Sequence, residues 1–597
     1  MNHGLVFGEN IKTEKFKGRR YKEDGDQPIK PRGFLFPIIL AIVTLLILVK
    51  LFSLQLIHGG DYRVLADANR TRTQRIHAPR GVIFDRNGVP LVFNIPGFLQ
   101  TTKDKDGKII KTTHLSKEEA LTKLVKGDQS IEVDSLRQYP YKEAMGHVLG
   151  YIGQISEDEL KEPGFESYVG NDWIGKNGIE RQYEQLLKGV DGKLLIEVDA
   201  TGKKIRPLGQ TDPIPGQDIT LTLDAKLQQA VYEATRDVKK GAVIVAKPDG
   251  EILSMVSRPS FDPNLFTLDT TYKPASDSSY FSVESMITDG NNQPLLDRAI
   301  AGTYPPGSTF KIVTAASGLE KKVIDANYHV TDTGVLKIGD FSFANWYFTQ
   351  YGRTEPGELD VTRALARSND IFFYKLAEKI GVDRLSDTSK EFGVGSRLGI
   401  DLGGEQAGVV PNQEWKKEVI KEDWYLGDTY HYGIGQGFLL TTPLQVNAWT
   451  QVIANGGILY QPRLLKDASK KEIRKNIVDS NTINLVREGM VEACSKGGVA
   501  WPIFDYAVKN PKLKIDGKNI TNVASGSADM RHVVVACKTG TAQHGGEDTL
   551  PHAWITLFAP AYKPEIVVTV LSESAGEGSN IAAPVAKKVL DAYFGGK

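Results

Sequence analysis

The sequence predicts an α/β chain in which a compact domain, an antiparallel sheet flanked by helices, follows a polar, turn-rich region and one N-terminal membrane helix. Three observations predict it. One apolar run near the start is long enough to span a bilayer, β-rich runs past about residue 220 pair as hairpins, and helical stretches separate those hairpins.

Size and charge narrow the alternatives. At 597 residues, 41% of them hydrophobic, the chain has length for several domains and apolar residues for large cores. Lys plus Arg and Asp plus Glu are each 73, with no interleaving of basic and aromatic residues, so nothing favours a nucleic-acid binder. Cys494 and Cys537 form no CxxC pair, which argues against a zinc site and a disulfide framework. A bridge between them stays open in an oxidising compartment, but two idle, buried thiols are the simpler expectation.

The anchor comes first in the chain. Phe34 to Val49 is apolar except for Thr44, and the character resumes after Lys50 through Leu51 to Ile57. About 24 residues at about 1.5 Å rise reach roughly 36 Å, more than a hydrocarbon core of about 30 Å. Pro37 falls in the first turn, where it is tolerated. Lys12, Lys15, Lys17, Arg19, Arg20, Lys22, Lys30 and Arg32 precede the run, so the tail of residues 1–33 is expected in the cytoplasm and the remainder outside. A cleaved signal peptide is the competing reading, but no small-residue cleavage pattern follows the run, which ends Ser53 Leu54 Gln55 Leu56 Ile57 His58.

Residues 58–220 are polar and irregular. Asn87 and Gly88 between apolar runs predict a hairpin, and Gly178 to Gly189 reads as one short helix closed by a C-cap glycine. Gly170 to Lys176 fits GxxxxGK, but Asn177 stands where a phosphate loop needs Ser or Thr, and Trp173 with Ile174 offers no glycine-rich cradle. A plain turn is expected there.

Residues 221–597 are the α/β domain. Ala242 to Ala246 and Ile252 to Val256 flank the turn Pro248 Asp249 Gly250, and Trp554 to Pro560 pairs with Glu565 to Leu571 across Tyr562 Lys563 Pro564. Val533 to Ala536 reads as a strand running directly into Lys538. Helices are expected over Phe310 to Lys322 and from about Ala583 to Tyr593.

The chemistry lies on those elements. Pro305 Pro306 Gly307 precede Ser308, which starts a buried helix and places Lys311 one turn on, along the same face. A serine hydroxyl is a weak nucleophile until its proton is taken, and a desolvated lysine can take it. The helix N-terminus offers free N–H groups to a developing oxyanion. Alone, SxxK says little, because serine is a common helix cap. Two further sets change that: Ser368 Asn369 Asp370 ahead of Ile371 Phe372 Phe373, and Lys538 Thr539 Gly540, ending a strand, with Thr541 behind it. There the glycine would let substrate backbone approach, Lys538 supply a fixed positive charge for a carboxylate, and Thr539 a hydrogen bond. No GxSxG elbow and no HExxH helix occurs, and His431, His544 and His552 read as surface or supporting residues.

Taken in order, the three sets resemble the signature of penicillin-recognising serine enzymes. From residue 34 onward the chain is similar to class B penicillin-binding proteins. Tyr304 to Lys311 matches their nucleophile motif, while Arg80 Gly81, Asp85 to Gly88 and Gly175 to Gly189 match their pedestal. Trp424 to Thr429, Gly433 to Gly437 and Thr442 to Gln445 resemble the elongation branch, the penicillin-binding protein 2 group. One departure stands out: Asp370 replaces the Asn that usually ends the second motif, again as in the elongation branch, which leaves open whether it donates or only accepts.

The resemblance implies an elongated α+β pedestal over 58–220, a transpeptidase domain over 221–597, and no glycosyltransferase domain. It implies a peptidoglycan transpeptidase with Ser308 as nucleophile, Lys311 as base and Ser368 as proton relay. The backbone N–H groups of Ser308 and Thr541 would form the oxyanion hole, and Lys538, Thr539 and Thr541 would hold the substrate carboxylate. No cofactor or metal is implied. The implied partners are stem peptides, β-lactams and a RodA-type membrane glycosyltransferase. Two other classes share parts of the pattern: a hydrolase of the carboxypeptidase or β-lactamase kind, and a non-enzymatic activator of a membrane glycan polymerase.

Overall fold

A computed structural model describes residues 35–595, apart from 104–108, 129, 171, 200–203, 269–270, 524–528 and 547. The basic tail of residues 1–33 lies outside the described residues. The described residues form two compact units, one within 35–75 and 193–211 and one within 76–192 and 212–595.

In the first unit the apolar run is helical from Leu35 to Phe52 and widens into a single π turn over Ser53–Ile57, giving 23 residues of spanning length. Its side chains are exposed all round, as a helix that faces lipid requires. A second helix, Gly59–Arg70, leads into a three-stranded sheet of Thr71–Ile76, Gly192–Val198 and Lys204–Thr211, the middle strand in the centre. There Glu197 pairs with Arg70 and, at 2.7 Å, with Arg206.

The second unit begins with the predicted hairpin. Ile83–Phe84 pairs antiparallel with Pro90–Lys103, and Gly88 closes the turn at φ +83°, a conformation glycine adopts without penalty. Residues 76–192 fold around a buried cluster of charge. Arg80 bonds Glu180 at 2.6 Å and Glu184 at 2.7 Å, while Arg137 bonds Glu180 at 2.8 Å. Tyr168 and the Gly175 N–H add bonds to Glu184 at 2.9 and 2.8 Å. All four charged side chains are buried, so the fold tolerates them only because each is paired. The stretch expected to be one helix is two short turns, Gly178–Gln182 and Glu184–Leu187, broken at Tyr183. The Tyr183 hydroxyl reaches Asp401 at 2.7 Å, a tertiary bond that overrides local propensity.

The sheet that carries the site has five antiparallel strands: β1 (Gly241–Ala246), β2 (Ile252–Arg258), β3 (Ala536–Ala542), β4 (His552–Ala559) and β5 (Ile566–Ser572), in the order β2-β1-β5-β4-β3. Both predicted hairpins are present. Every residue of β1, β4 and β5 is buried, because helices cover both faces and leave no solvent side to alternate with. The helices needed below are α1 (Lys311–Glu320), α2 (Val361–Arg367), α3 (Asp370–Ile380), α4 (Pro443–Asn455), α5 (Ser480–Ala493) and α6 (Ala582–Gly595). One core, with Phe310, Ile312, Phe372 and Trp449, packs α1, α3 and α4 against one side. The other, with Val568, Val589 and Leu590, packs α6 on the opposite face.

Two expectations fail here. Val533 does not run straight into Lys538: Met530–Val533 belongs to a separate small sheet, and β3 starts afresh at Ala536. The cysteines are not idle. Cys494, the cap of α5, and Cys537, second in β3, form a disulfide with Cα atoms 5.8 Å apart, buried in the second core. A pair separated by 43 residues leaves no local spacing to read.

Candidate active site

Ser308 sits in a 3-10 turn, Gly307–Phe310, that leads into α1, so Lys311 rather than Ser308 is the first α-helical residue. Gly307 has φ +54° and donates its N–H to the Gly435 carbonyl at 2.8 Å. Gly435 is itself left-handed at φ +78°, and a Cβ there would lie 2.1 Å from the Gly307 oxygen. The turn is therefore seated on glycine backbone with no room for a side chain.

Ser368 closes α2 in a left-handed conformation, φ 53° and ψ 38°, costly for a serine. The surroundings hold it there. Asn369 caps α3 by accepting the Phe372 N–H at 2.9 Å, and its amide donates to Asp332 at 2.9 Å. Asp332 also receives the Asn345 amide at 2.8 Å, and the Asn345 oxygen accepts the Asp370 N–H at 3.1 Å. Asp332 and Asn345 thus fix the second motif from outside it, and no sequence signal pointed to them.

Asp370 accepts on both oxygens, from Lys311 Nζ at 2.6 Å and from the Trp346 N–H at 2.9 Å. That answers the question its identity raised: here it accepts. Lys311 spends its other donors on Ser368, the carbonyl at 2.8 Å and the hydroxyl at 3.3 Å. Lys538 donates to the same hydroxyl at 2.8 Å and to the Thr539 carbonyl at 2.9 Å. Ser368 Oγ is therefore shared by two wholly buried lysines.

Burial pushes Lys311 below the ordinary lysine range, against the pull of Asp370. Lys538 is pushed well down by burial and then by the charge of Lys311, with Asp370 a weaker opposing influence. Burial and the Lys311 charge both disfavour the charged form expected of Lys538.

Lys538, Thr539 and Gly540 occupy the middle of β3, not its end, and β3 is the free edge of the sheet. Gly540 also differs from expectation. A Cβ there would meet the Pro306 oxygen and Thr309 at 3.0 Å, so the missing side chain lets the strand press against the nucleophile turn rather than against substrate.

Ser308, Ser368, Asp370, Thr539, Gly540 and Thr541 line one cleft of about 580 Å³, and Lys311 and Lys538 stand behind its wall. His431, His544 and His552 are not among the lining residues. His544 and His552 stack on each other with ring centres 3.7 Å apart, and Ser574 donates its N–H to His552 Nδ1 at 3.1 Å. Among the described residues no cluster of three or more His, Cys, Asp or Glu side chains is arranged to hold a metal.

Comparison with known proteins identifies the family. Residues 240–591 match the family model of the penicillin-binding protein transpeptidase domain, and residues 125–221 match that of the penicillin-binding protein dimerisation domain. The chain is 32% identical to the peptidoglycan D,D-transpeptidase MrdA of Acinetobacter baumannii over 94% of its own length and 87% of that protein's. Among solved structures it is similar to penicillin-binding protein 2 of Helicobacter pylori, determined with MreC, at 28% identity and a TM-score of 0.70, covering 88% of this chain and 98% of that one. It is similar too, at 27% identity and a TM-score of 0.69, to a chain from a study of how a peptidoglycan synthase complex coordinates polymerization and crosslinking, covering 95% of this chain and 99% of that one. The chain belongs to the penicillin-binding proteins, in their class B, elongation-type branch, penicillin-binding protein 2.

Proposed function

We infer that the chain is a peptidoglycan D,D-transpeptidase of cell-wall elongation, working through an acyl-enzyme on Ser308. The observation that carries this reading is the Ser368 hydroxyl held between Lys311 and Lys538 beside a cleft that Ser308 lines. Such a hydroxyl can pass a proton between the base that frees the nucleophile and the group that leaves.

In the first half-reaction neutral Lys311 takes the Ser308 proton as the oxygen attacks the carbonyl joining the two terminal D-alanines of a donor stem. The Ser308 and Thr541 N–H groups hold the oxyanion. Lys538, Thr539 and Thr541 hold the donor carboxylate. The C–N bond then breaks, and the proton travels through Ser368 to the departing D-alanine amine. In the second half-reaction an acceptor amine bonds to the acyl carbon, the Ser308 ester bond breaks, and the proton returns to the serine. β-Lactams acylate the same oxygen. The chemistry needs no cofactor or metal.

The same reading divides the chain into a cytoplasmic tail (1–33), an anchor (34–57), a pedestal (58–220) and a transpeptidase domain (221–597). The anchor crosses the inner membrane once, with its N-terminus in the cytoplasm, an orientation favoured by the lysines and arginines ahead of Leu35. A RodA-type membrane glycosyltransferase is the proposed partner, as the family resemblance implies, and the similarity to a chain from a study of a polymerizing and crosslinking synthase complex supports a polymerase partner in general.

The test is labelling of the full chain with fluorescent penicillin, followed by mass spectrometry of its stem-peptide products. Ser308→Ala should abolish the label, and cross-linked rather than trimmed peptides should form. Retained label in that variant would remove Ser308 from its role.

A further inference from the structure

Among the described residues two carboxylates line the catalytic cleft, Asp370 and Glu577, and they are treated differently. Asp370 is neutralised by Lys311 at 2.6 Å. The nearby acids Glu573 and Glu355 are neutralised as well, by Arg298 and Arg367, each at 2.6 Å. Glu577 has no such partner: no lysine, arginine or histidine nitrogen of the described residues comes within 4.0 Å of it. Its two oxygens accept instead from neutral amides, one from Gln350 and the other from Asn580 at 3.0 Å.

The carboxylate is also firmly placed. Gly578, the next residue, donates its N–H to Thr541 Oγ1 at 3.3 Å, which puts Glu577 one residue from the strand bearing the third motif. Ser579 bonds the Val499 carbonyl at 2.8 Å, and Asn580 accepts from the Trp501 ring N–H at 3.2 Å. The segment is thus tied to the cleft on two sides, whereas Gln350 belongs to the short helix Trp346–Tyr351 and is an exposed residue.

We propose that Glu577 is the docking carboxylate for the side-chain ammonium of the acyl acceptor, whose charged group replaces the Gln350 amide. This rests on the transpeptidase reading. An ammonium adds the attraction of opposite charges to the hydrogen bond that a neutral amide gives a carboxylate, so it displaces the Gln350 amide without disturbing Asn580. The cleft then sorts its two peptides by charge: the donor's carboxylate goes to Lys538 and Thr539, and the acceptor's cation goes to Glu577. The docked ammonium gives up one proton to solvent before its nitrogen attacks, and the amine's second proton returns to Ser308. Glu577 therefore acts in binding, not in the bond-making step.

The test uses the full-length chain, a D-alanyl-D-alanine donor peptide and two nucleophiles that compete for one acyl-enzyme. Nα-acetyl-lysine amide carries a single ammonium, and hydroxylamine is neutral at pH 7. Glu577→Gln should raise KM for Nα-acetyl-lysine amide by about tenfold or more with little change in kcat, while capture by hydroxylamine falls less than about twofold. Glu577→Asp should restore part of the difference. An unchanged KM, or equal losses for both nucleophiles, overturns the proposal. Absence of D-alanine release by the unaltered chain would instead overturn the transpeptidase reading, and the proposal with it.

Discussion

Lys311 and Asp370 form a 2.6 Å ion pair in which the lysine is wholly buried and the carboxylate faces the cleft. The pair opposes the effect of burial: burial drives the lysine toward neutrality, and the carboxylate holds it back.

Replacing that carboxylate by its isosteric amide should therefore shift the pH dependence of the enzyme. Asp370→Asn keeps an acceptor for the Trp346 N–H but removes the charge that raises the lysine's pKa. A neutral base is needed for acylation, so the rising limb of the acylation rate should move to lower pH. The rate on the plateau should stay within about tenfold, since one hydrogen-bonding group replaces another. Stopped-flow acylation by a chromogenic cephalosporin between pH 5 and 9 measures both.

The nucleophile turn should be intolerant of a single methyl group. Gly435→Ala would place a carbon 2.1 Å from the Gly307 oxygen, in a backbone region that alanine avoids. Displacing the Ser308 turn by about 1 Å should slow acylation by roughly a hundredfold. A loss of about 1–3 kcal/mol in stability should accompany it. Acylation kinetics together with chemical denaturation separate the two effects.

Reduction should loosen the same sheet from the other side. The Cys494–Cys537 bond closes 43 residues, and chain-entropy reasoning gives it about 4 kcal/mol of stabilisation. Denaturation with and without a phosphine reductant should differ by about 2–4 kcal/mol, and a Cys494→Ala, Cys537→Ala variant should lose its sensitivity to the reductant.

Acid should weaken the fold through His147. Burial, helped by the charge of Arg298, lowers its pKa to about 4, while its ring nitrogen lies 2.8 Å from the Pro294 carbonyl. The unfolded chain titrates near about 6.5 and so binds more protons between those values. Stability contributed by the neutral ring is whole above about pH 6.5 and falls as pH drops toward 4, by up to about 3 kcal/mol. Thermal midpoints of the parent chain and of His147→Gln, compared from pH 7.5 to 4.5, should converge on acidification.

The legible parts of this molecule were those with short-range grammar. The Pro248 Asp249 Gly250 turn, the Asn87 Gly88 turn and the apolar run before His58 each declare themselves within a dozen residues, and the structure has a hairpin or a helix at each. Ser308 with Lys311, Ser368 with Asp370, and Lys538 to Thr541 were also visible, because their residue types recur at close spacing, and the structure brings all of them to one cleft or its wall. What stayed hidden depends on distant partners. Asp332 and Asn345 matter only because the fold brings them to Asn369 and Asp370. The break at Tyr183 reflects a bond to Asp401, and β3 starts late because the Val534 N–H pairs with the Asn519 carbonyl in the neighbouring segment. Glu577 carries no motif at all, and its interest lies in the cation it lacks.

The buried cluster of Arg80, Arg137, Glu180 and Glu184 has a bearing on how such a chain can change over time. Removing one partner of a buried ion pair costs about 3–5 kcal/mol, whereas exchanging a whole set for apolar residues can be neutral. Each single substitution in the cluster therefore meets a barrier comparable to much of a domain's total stability, although the end point beyond it is accessible. The four residues are thus coupled in energy, and a change in one is best tolerated when its partners change with it.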